Sequence, residues 1–442
     1  MPLGPLSRRR FLTNAAGAAA GAAVVATAAP AVLAAPRGAP RAASYDGRDA
    51  SAAWREAAHR RIDQHRKADL AVTVTDADGK PLPGAQVTVA MRRHAFGFGS
   101  AVAADCLVGE RDDHKRYRET VRTSFSKVVF ENDLKWPQWE DPANRARTLK
   151  ALDWLEGEGI VVRGHCLVWP SWRRMPGDVA GLKDDEPALR RRIAGHVRDE
   201  VSALKGRIAD WDVINEPFWN HDAMDVLGQD AMVEWFKTAR AADPATVLYL
   251  NDQNILAGGG TDAAHQDHYE RTARYLVDQG APLGGLGMQC HFGGNLTPPE
   301  RMLALLDRFA AFNLPIQITE FDINTSDRDL QADYFRDFLT AAFSHPQVAG
   351  IVMWGFWAGR HWKPEAALFE RDWTLRPHGQ AWRDLVLGRW WTRASGPADA
   401  RGRFAARGFL GTYEVTGTAG GRTKTVPAAL GQDGATVTVR LD

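Results

Sequence analysis

Residues 209–252 carry one repeat of the chain's pattern: Ala209-Asp210-Trp211-Asp212-Val213-Ile214-Asn215-Glu216-Pro217, a helix-length stretch from Asp230 to Ala242, then Thr246-Val247-Leu248-Tyr249-Leu250-Asn251-Asp252. The outer two runs are short, mostly apolar and bounded by turn residues, as strands covered on both faces are. The stretch between them has helical length. Each apolar run ends in a polar cluster, Asn215-Glu216 in one and Asn251-Asp252 in the other.

The same alternation extends outward to His94 and to about Trp391. Strands are expected at Phe96–Val102, Lys127–Phe130, Ile160–Val168, Ala209–Ile214, Thr246–Leu250, Gly285–Gln289, Pro315–Thr319 and Val348–Met353. Between them fall helical segments such as Ala188–Leu204, Asp230–Ala242, His265–Gln279, Pro299–Phe312 and Leu330–Ser344. Eight strands alternating with helices predict an α/β fold, the (β/α)8 or TIM barrel, over residues 94–392. A doubly wound sheet competes at the level of fold, but no Gly-rich phosphate loop follows the first strand.

The flanks read differently. Residues 1–36 carry Arg8-Arg9-Arg10 near their start and continue from Phe11, uncharged and rich in Ala and Gly, to Pro36, the layout of a signal peptide. Ser7-Arg8-Arg9-Arg10-Phe11-Leu12 resembles the twin-arginine export signal, so a secreted bacterial protein is expected. Residues 37–68 read as a linker and a helix, Ala52–Ala68. Residues 69–93 alternate with period two around Asp76-Ala77-Asp78-Gly79-Lys80-Pro81, which predicts a β-hairpin module. Residues 393–442 alternate in the same way and predict a C-terminal β module with turns at Gly417, Gly420-Gly421 and Asp433-Gly434.

Composition excludes some partners. Lys and Arg number 55 against 54 Asp and Glu, and without the three leader arginines acids exceed bases by two. Such a chain has no electrostatic footprint for nucleic acid or, once the signal is cleaved, for an anionic membrane. A monomer is expected. Three cysteines (Cys106, Cys166, Cys290) cannot all pair, and their apolar surroundings predict buried free thiols. No CxxC or HExxH spacing occurs, so neither a metal site nor a cofactor is expected.

In a barrel the carboxyl ends of the strands face the active site. Here they read, in order, Glu131-Asn132-Asp133-Leu134-Lys135-Trp136; His165 with Trp169; Asn215-Glu216-Pro217; Asn251-Asp252-Gln253-Asn254; Gln289-Cys290-His291; Glu320-Phe321-Asp322; and Trp354 followed by Trp357 and Trp362. Carboxylates, amides, imidazoles and indoles converging without an arginine cluster suit a neutral, hydroxyl-rich ligand, because sugar faces stack on indoles while amides and acids satisfy hydroxyls. Two carboxyl groups across one pocket are what glycosidic bond cleavage needs, one protonated and one ionised.

These strand ends resemble those of glycoside hydrolase family 10, the endo-β-1,4-xylanase family. Trp211-Asp212-Val213-Ile214-Asn215-Glu216 looks like its acid/base segment and Ile318-Thr319-Glu320-Phe321-Asp322-Ile323 like its nucleophile segment. Phe130–Trp136, Gly164–Trp169, Leu248–Asp252 and Gly287–His291 follow in the family's order. The resemblance covers roughly residues 94–392, and Gly408–Tyr413 resembles a flanking part of plant-type members. It implies a retaining glycoside hydrolase acting on a polysaccharide or oligosaccharide, most simply xylan, with Glu320 as nucleophile and Glu216 as acid/base. It implies supporting roles for Asn215 and His291, and sugar contacts from Glu131, Asn132, Lys135, His165, Trp169, Asn251, Gln289, Trp354 and Trp362. Pro170, Pro217 and Gln253 depart from the family's usual residues. Pro170 and Pro217 suggest one alternative, a retaining glycanase acting on β-glucan or β-mannan; a second, a non-catalytic carbohydrate-binding barrel, is a use the same fold can serve, and the presence of both glutamates argues against it.

Overall fold

The computed structural model describes residues 44–442; the leader expected over 1–36 lies outside the described residues. Eight parallel strands close into a barrel: Gly97–Val102, Lys127–Phe130, Val161–Val168, Asp210–Asn215, Val247–Asp252, Gly285–Met288, Ile316–Ile323 and Val348–Met353. Each pairs with its neighbour in chain order, and the eighth pairs with both the seventh and the first. The (β/α)8 barrel expected from the sequence is the observed fold.

Local chemistry sets the helices between them. Asp141, Asp185, Asp262 and Asp327 each precede a helix and accept hydrogen bonds from its first-turn N–H groups, which have no partner within the helix. The helix Asp230–Ala242 buries Met232, Val233, Trp235, Phe236 and Ala239, one stripe of its surface, against the strands. Cys106, Cys166 and Cys290 are free and buried.

The flanking β segments are arranged otherwise than expected. Lys67–Thr75 and Gln86–His94 do not pair as a hairpin; each joins a different sheet. Lys67–Thr75 lies between Arg403–Phe409, antiparallel, and Ala435–Arg440, parallel. Gln86–His94 lies between Arg393–Pro397 and Gly411–Ala419, with Arg422–Leu430 at the far edge. The two sheets close as a sandwich on Leu70, Val72, Val74, Val87, Val89, Val415 and Val439, all buried. Alternation correctly marked the apolar face of each strand, but it carries no information on which strand lies beside it. The N- and C-terminal segments therefore form one body. Gln86–His94 runs almost directly into the first barrel strand, and His94 Nε2 lies 2.7 Å from the Trp390 carbonyl oxygen. Among the described residues no helix is long and apolar enough to cross a membrane.

Candidate active site

The fourth and seventh strands carry the two glutamates. Asn215 closes the fourth strand, and Glu216 follows with φ of 54°, a left-handed conformation that a non-glycine residue adopts at a cost of about 1 kcal/mol or more. Glu320 sits within the long seventh strand, buried, with its N–H bonded to the Gln289 carbonyl at 3.0 Å.

Amides and imidazoles hold the two carboxyls differently. Asn251 Nδ2 donates to Glu320 Oε1 at 3.0 Å and to Asn215 Oδ1 at 2.8 Å, while its own Oδ1 accepts from Thr319 at 2.7 Å. His291 Nε2 is 3.0 Å from the other Glu320 oxygen, and its Nδ1 is 3.0 Å from Asp322 Oδ2. Trp362 Nε1 donates to that same Asp322 oxygen at 2.7 Å. His165 Nδ1 is 2.9 Å from Asp212 and 3.9 Å from Glu320 Oε1. Glu216 is served by neutral amides alone: Gln289 at 2.8 Å and Asn220 at 3.1 Å.

The protonation equilibria follow these contacts. Burial lifts the Glu216 carboxyl above its ordinary value, with the Glu320 charge adding to burial and the Gln289 hydrogen bond opposing it. Burial acts on Glu320 in the same direction, but the His165 ring, the His291 hydrogen bond and the Lys135 charge outweigh it and hold that carboxyl low. Burial works against charge on His291 too, yet Asp322 and Glu320 flank the ring and raise it to about 9. At neutral pH the cluster therefore favours an ionised Glu320 beside an imidazolium, and Glu216 is the acid readier to keep its proton.

Glu131, Asn132, Lys135, His165, Trp169, Asn215, Glu216, Gln289, His291, Glu320, Trp354 and Trp362 line one cleft of about 430 Å³ at the carboxyl ends of the strands. Lys135 Nζ stands 5.3 Å from the Trp169 ring and 5.9 Å from the Trp354 ring, and it donates to Asn132 at 2.8 Å. The buried Asn215 Nδ2 and Trp169 Nε1 have no protein acceptor and remain free to bind a ligand's oxygens.

Asn251 is the exception among the expected sugar contacts. It is fully buried behind the cleft, with its amide committed to Asn215, Glu320 and Thr319, so it positions the carboxyl and does not face a ligand. Gln289 reaches the cleft but uses its amide on Glu216. Gln253, expected at a strand end as a departure from the family's usual residue, lines the cleft, whereas sequence reading assigned no role to Arg174, which lines it too, or to Asn220, Asp212 and Asp322, which hold its carboxyls and imidazoles. Gln253 directly follows a strand end and was legible by position. Arg174, 4.1 Å from the Trp169 ring, lies in a loop and carries no signal in the sequence. Among the described residues no cluster of three or more His, Cys, Asp or Glu side chains is placed to hold a metal ion.

Residues 88–384 match the sequence profile of Glycosyl hydrolase family 10. Anti-sigma-I factor RsgI6 of Acetivibrio thermocellus is 34% identical over 376 residues, covering 84% of this chain and 47% of that protein. Endo-1,4-beta-xylanase 1 of Arabidopsis thaliana is 28% identical over 361 residues, covering 80% of this chain and 37% of that one. The chain thus spans about a third to a half of the length of these curated relatives. Native xylanase 10B from Thermotoga maritima superposes with a TM-score of 0.60 and 25% identity, over 66% of this chain and 95% of that structure. Xylanase 10B from Thermotoga petrophila, solved in complex with xylobiose, gives a TM-score of 0.60 and 25% identity, over 66% and 94%.

Proposed function

Since the chain belongs to glycosyl hydrolase family 10, we propose that it is a retaining endo-β-1,4-glycanase whose substrate is xylan or its oligosaccharides. The observation that carries this reading is the opposite displacement of two carboxyls in one cleft, Glu216 upward and Glu320 downward. A binding barrel has no use for such a division; hydrolysis by a pair of carboxyls requires it, and membership of the family supports the retaining course.

In the first step an oxygen of Glu320 attacks the anomeric carbon as Glu216 passes its proton to the departing glycosidic oxygen. The product is a glycosyl ester on Glu320 and a free sugar hydroxyl. In the second, Glu216, now a carboxylate, takes a proton from water as that water's oxygen attacks the same carbon, and the Glu320 carboxylate leaves. Asn215 Nδ2, free of protein partners, is placed to donate to a sugar hydroxyl. The imidazolium of His291 holds the Glu320 oxygen it contacts in the ionised form. The expected export through a twin-arginine signal belongs to the same proposal, supported by Arg8-Arg9-Arg10 and the uncharged Ala/Gly-rich run after it, and so does the expected monomer.

The test is reducing-end release from xylan, β-glucan and β-mannan by the wild-type chain and by Glu320→Ala. Release from xylan, lost in the variant, with the β-anomer formed first, supports the proposal. Release only from another polymer keeps the mechanism and replaces the substrate. Sugar binding without release from any of them moves the protein to the class of carbohydrate-binding barrels.

A further inference from the structure

Behind the acid lies a buried pair that the two steps above do not use. Asp252 ends the fifth strand, and His265 stands in the first turn of the helix Ala263–Asp278 that follows it. Both are fully buried, with His265 Nε2 3.0 Å from Asp252 Oδ1, and neither lines the cleft. Burial lifts the Asp252 carboxyl above its ordinary value, while His265 and the N–H groups of Gln253 and Phe218 favour its charged form. Such a pair adds little net stability, but it fixes the geometry of whatever rests on it.

Both amides that grip the Glu216 carboxyl rest on this pair. The His265 ring stacks on Phe218, with centres 4.2 Å apart at 24°, and Phe218 belongs to the loop formed by residues 216–220. That loop closes on the acid: the Asn220 N–H donates to the Glu216 carbonyl at 3.0 Å, and Asn220 Nδ2 donates to its carboxyl at 3.1 Å. From the other side the Asp252 carbonyl accepts the Gln289 N–H at 3.0 Å, and Gln289 Nε2 donates to the second Glu216 oxygen at 2.8 Å. Glu216 itself has φ of 54°, a conformation that persists only where its surroundings hold it. The nucleophile is held by other groups, Asn251 and His291.

Resting on the glycanase reading above, we propose that Asp252 and His265 are positioning residues for the proton donor: together they hold Glu216 where its proton reaches the glycosidic oxygen, and they do not serve Glu320. A leaving group that departs without a proton therefore has no need of the pair in the first step. The second step needs it whatever the leaving group was, because Glu216 then takes a proton from water.

The experiment compares xylohexaose with 2,4-dinitrophenyl β-xylobioside, whose phenolate leaves unprotonated, in the wild-type chain, Asp252→Asn and His265→Gln. The first variant keeps the shape of the side chain and removes its charge; the second keeps a donor for Asp252 and removes the ring under Phe218. In each, kcat/KM for xylohexaose should fall about 10–100-fold, while kcat/KM for the aryl glycoside stays within about threefold of wild type. Its kcat should fall, because release of the glycosyl ester still needs Glu216 as base. If the wild-type protein acts on the aryl cellobioside and not the xylobioside, cellohexaose and that cellobioside take their places. Thermal unfolding identifies the variants that are folded under assay, and the comparison is read from those. Equal falls in kcat/KM on both substrates, wild-type rates on the hexasaccharide, or loss of the fold in both variants would overturn the positioning role and leave the glycanase reading standing. Failure of the wild-type protein to cleave either aryl glycoside overturns both.

Discussion

The barrel interior holds two clusters of buried polar side chains, one near the start of the strands and one at their ends, and they use their hydrogen-bonding capacity in different ways. Near the start, Lys127, Arg163, Asp210, Asp212 and Gln317 converge from four strands. Arg163 pairs with both aspartates, Lys127 pairs with Asp210, and the Arg163 guanidinium lies 4.7 Å from the Tyr249 ring. Lys127 also donates to Gln317 at 2.8 Å. Each charge there has an opposite charge beside it, and Lys127 and Arg163 hold Asp210 low against the effect of burial. At the strand ends the carboxyls are served unequally, and the amide of Asn215 and the indole N–H of Trp169 find no protein partner. Two clusters of similar composition thus divide into one whose charges pair among themselves, with the Arg163 Nε left over, and one left open to a ligand. Asp212 joins them, with one oxygen on Arg163 and the other on His165.

The largest effect expected from breaking this contrast is catalytic. Glu320→Ala should lower hydrolysis by about 10⁴-fold or more, and Glu216→Ala by about 10²–10⁴-fold, both without loss of folded protein. Initial rates on polymer beside circular dichroism and thermal unfolding check it. Rates near wild type, or a marked fall in stability, would make the open cluster as structural as the closed one.

Next in size is the reverse experiment. Arg163→Met leaves Asp210 and Asp212 buried without their shared cation and should cost about 3–5 kcal/mol of stability, read from the urea midpoint. A loss under about 1 kcal/mol would mean that Lys127 and solvent replace the guanidinium, and the closed cluster would not be closed.

How much of this was legible in sequence follows from the same contrast. The barrel strands were readable because strands buried on both faces are short apolar runs, and Lys127–Phe130 and Val348–Met353 coincide with their expected bounds. Glu216 and Glu320 were readable because they break those runs at the end where a barrel binds its ligand. The closed cluster was not: Lys127, Arg163 and Gln317 each sit alone near the start of a strand, and only closure of the ring brings them together. The sandwich was hidden for a related reason, since Lys67–Thr75 pairs with residues more than 300 positions away. Asn251 was assigned to the ligand because an amide at a strand end looks the same whether it faces forward or back.

A smaller effect sharpens the packing between the two clusters. Gly164 lies opposite Trp211 on the neighbouring strand, and a Cβ there would stand 2.1 Å from the indole, which is itself buried. Gly164→Ala should destabilise the protein by about 1–3 kcal/mol, read from the urea midpoint. It should also disturb His165 and Asp212, in register one residue further along. A fully stable variant would show that the Trp211 ring has room to move.

The smallest expected effects lie in pH dependence, and they separate the two carboxyls most directly. With Glu320 held below the usual 4.5 and Glu216 lifted above it, kcat/KM should rise as Glu320 ionises and fall as Glu216 loses its proton, and Glu216→Ala should remove the alkaline limb. Stability should respond at higher pH through His291. Its folded value of about 9 lies above the 6.5 of an unperturbed ring, so the native state binds its proton more tightly than the unfolded state does. That contribution is complete below pH 6.5 and is lost as pH rises through about 9. Unfolding midpoints between pH 6 and 10 should therefore decline in the wild-type protein and decline less in His291→Ala. Equal slopes would mean that the ring is not charged between Glu320 and Asp322, and the open cluster would lose the cation that keeps its nucleophile ionised.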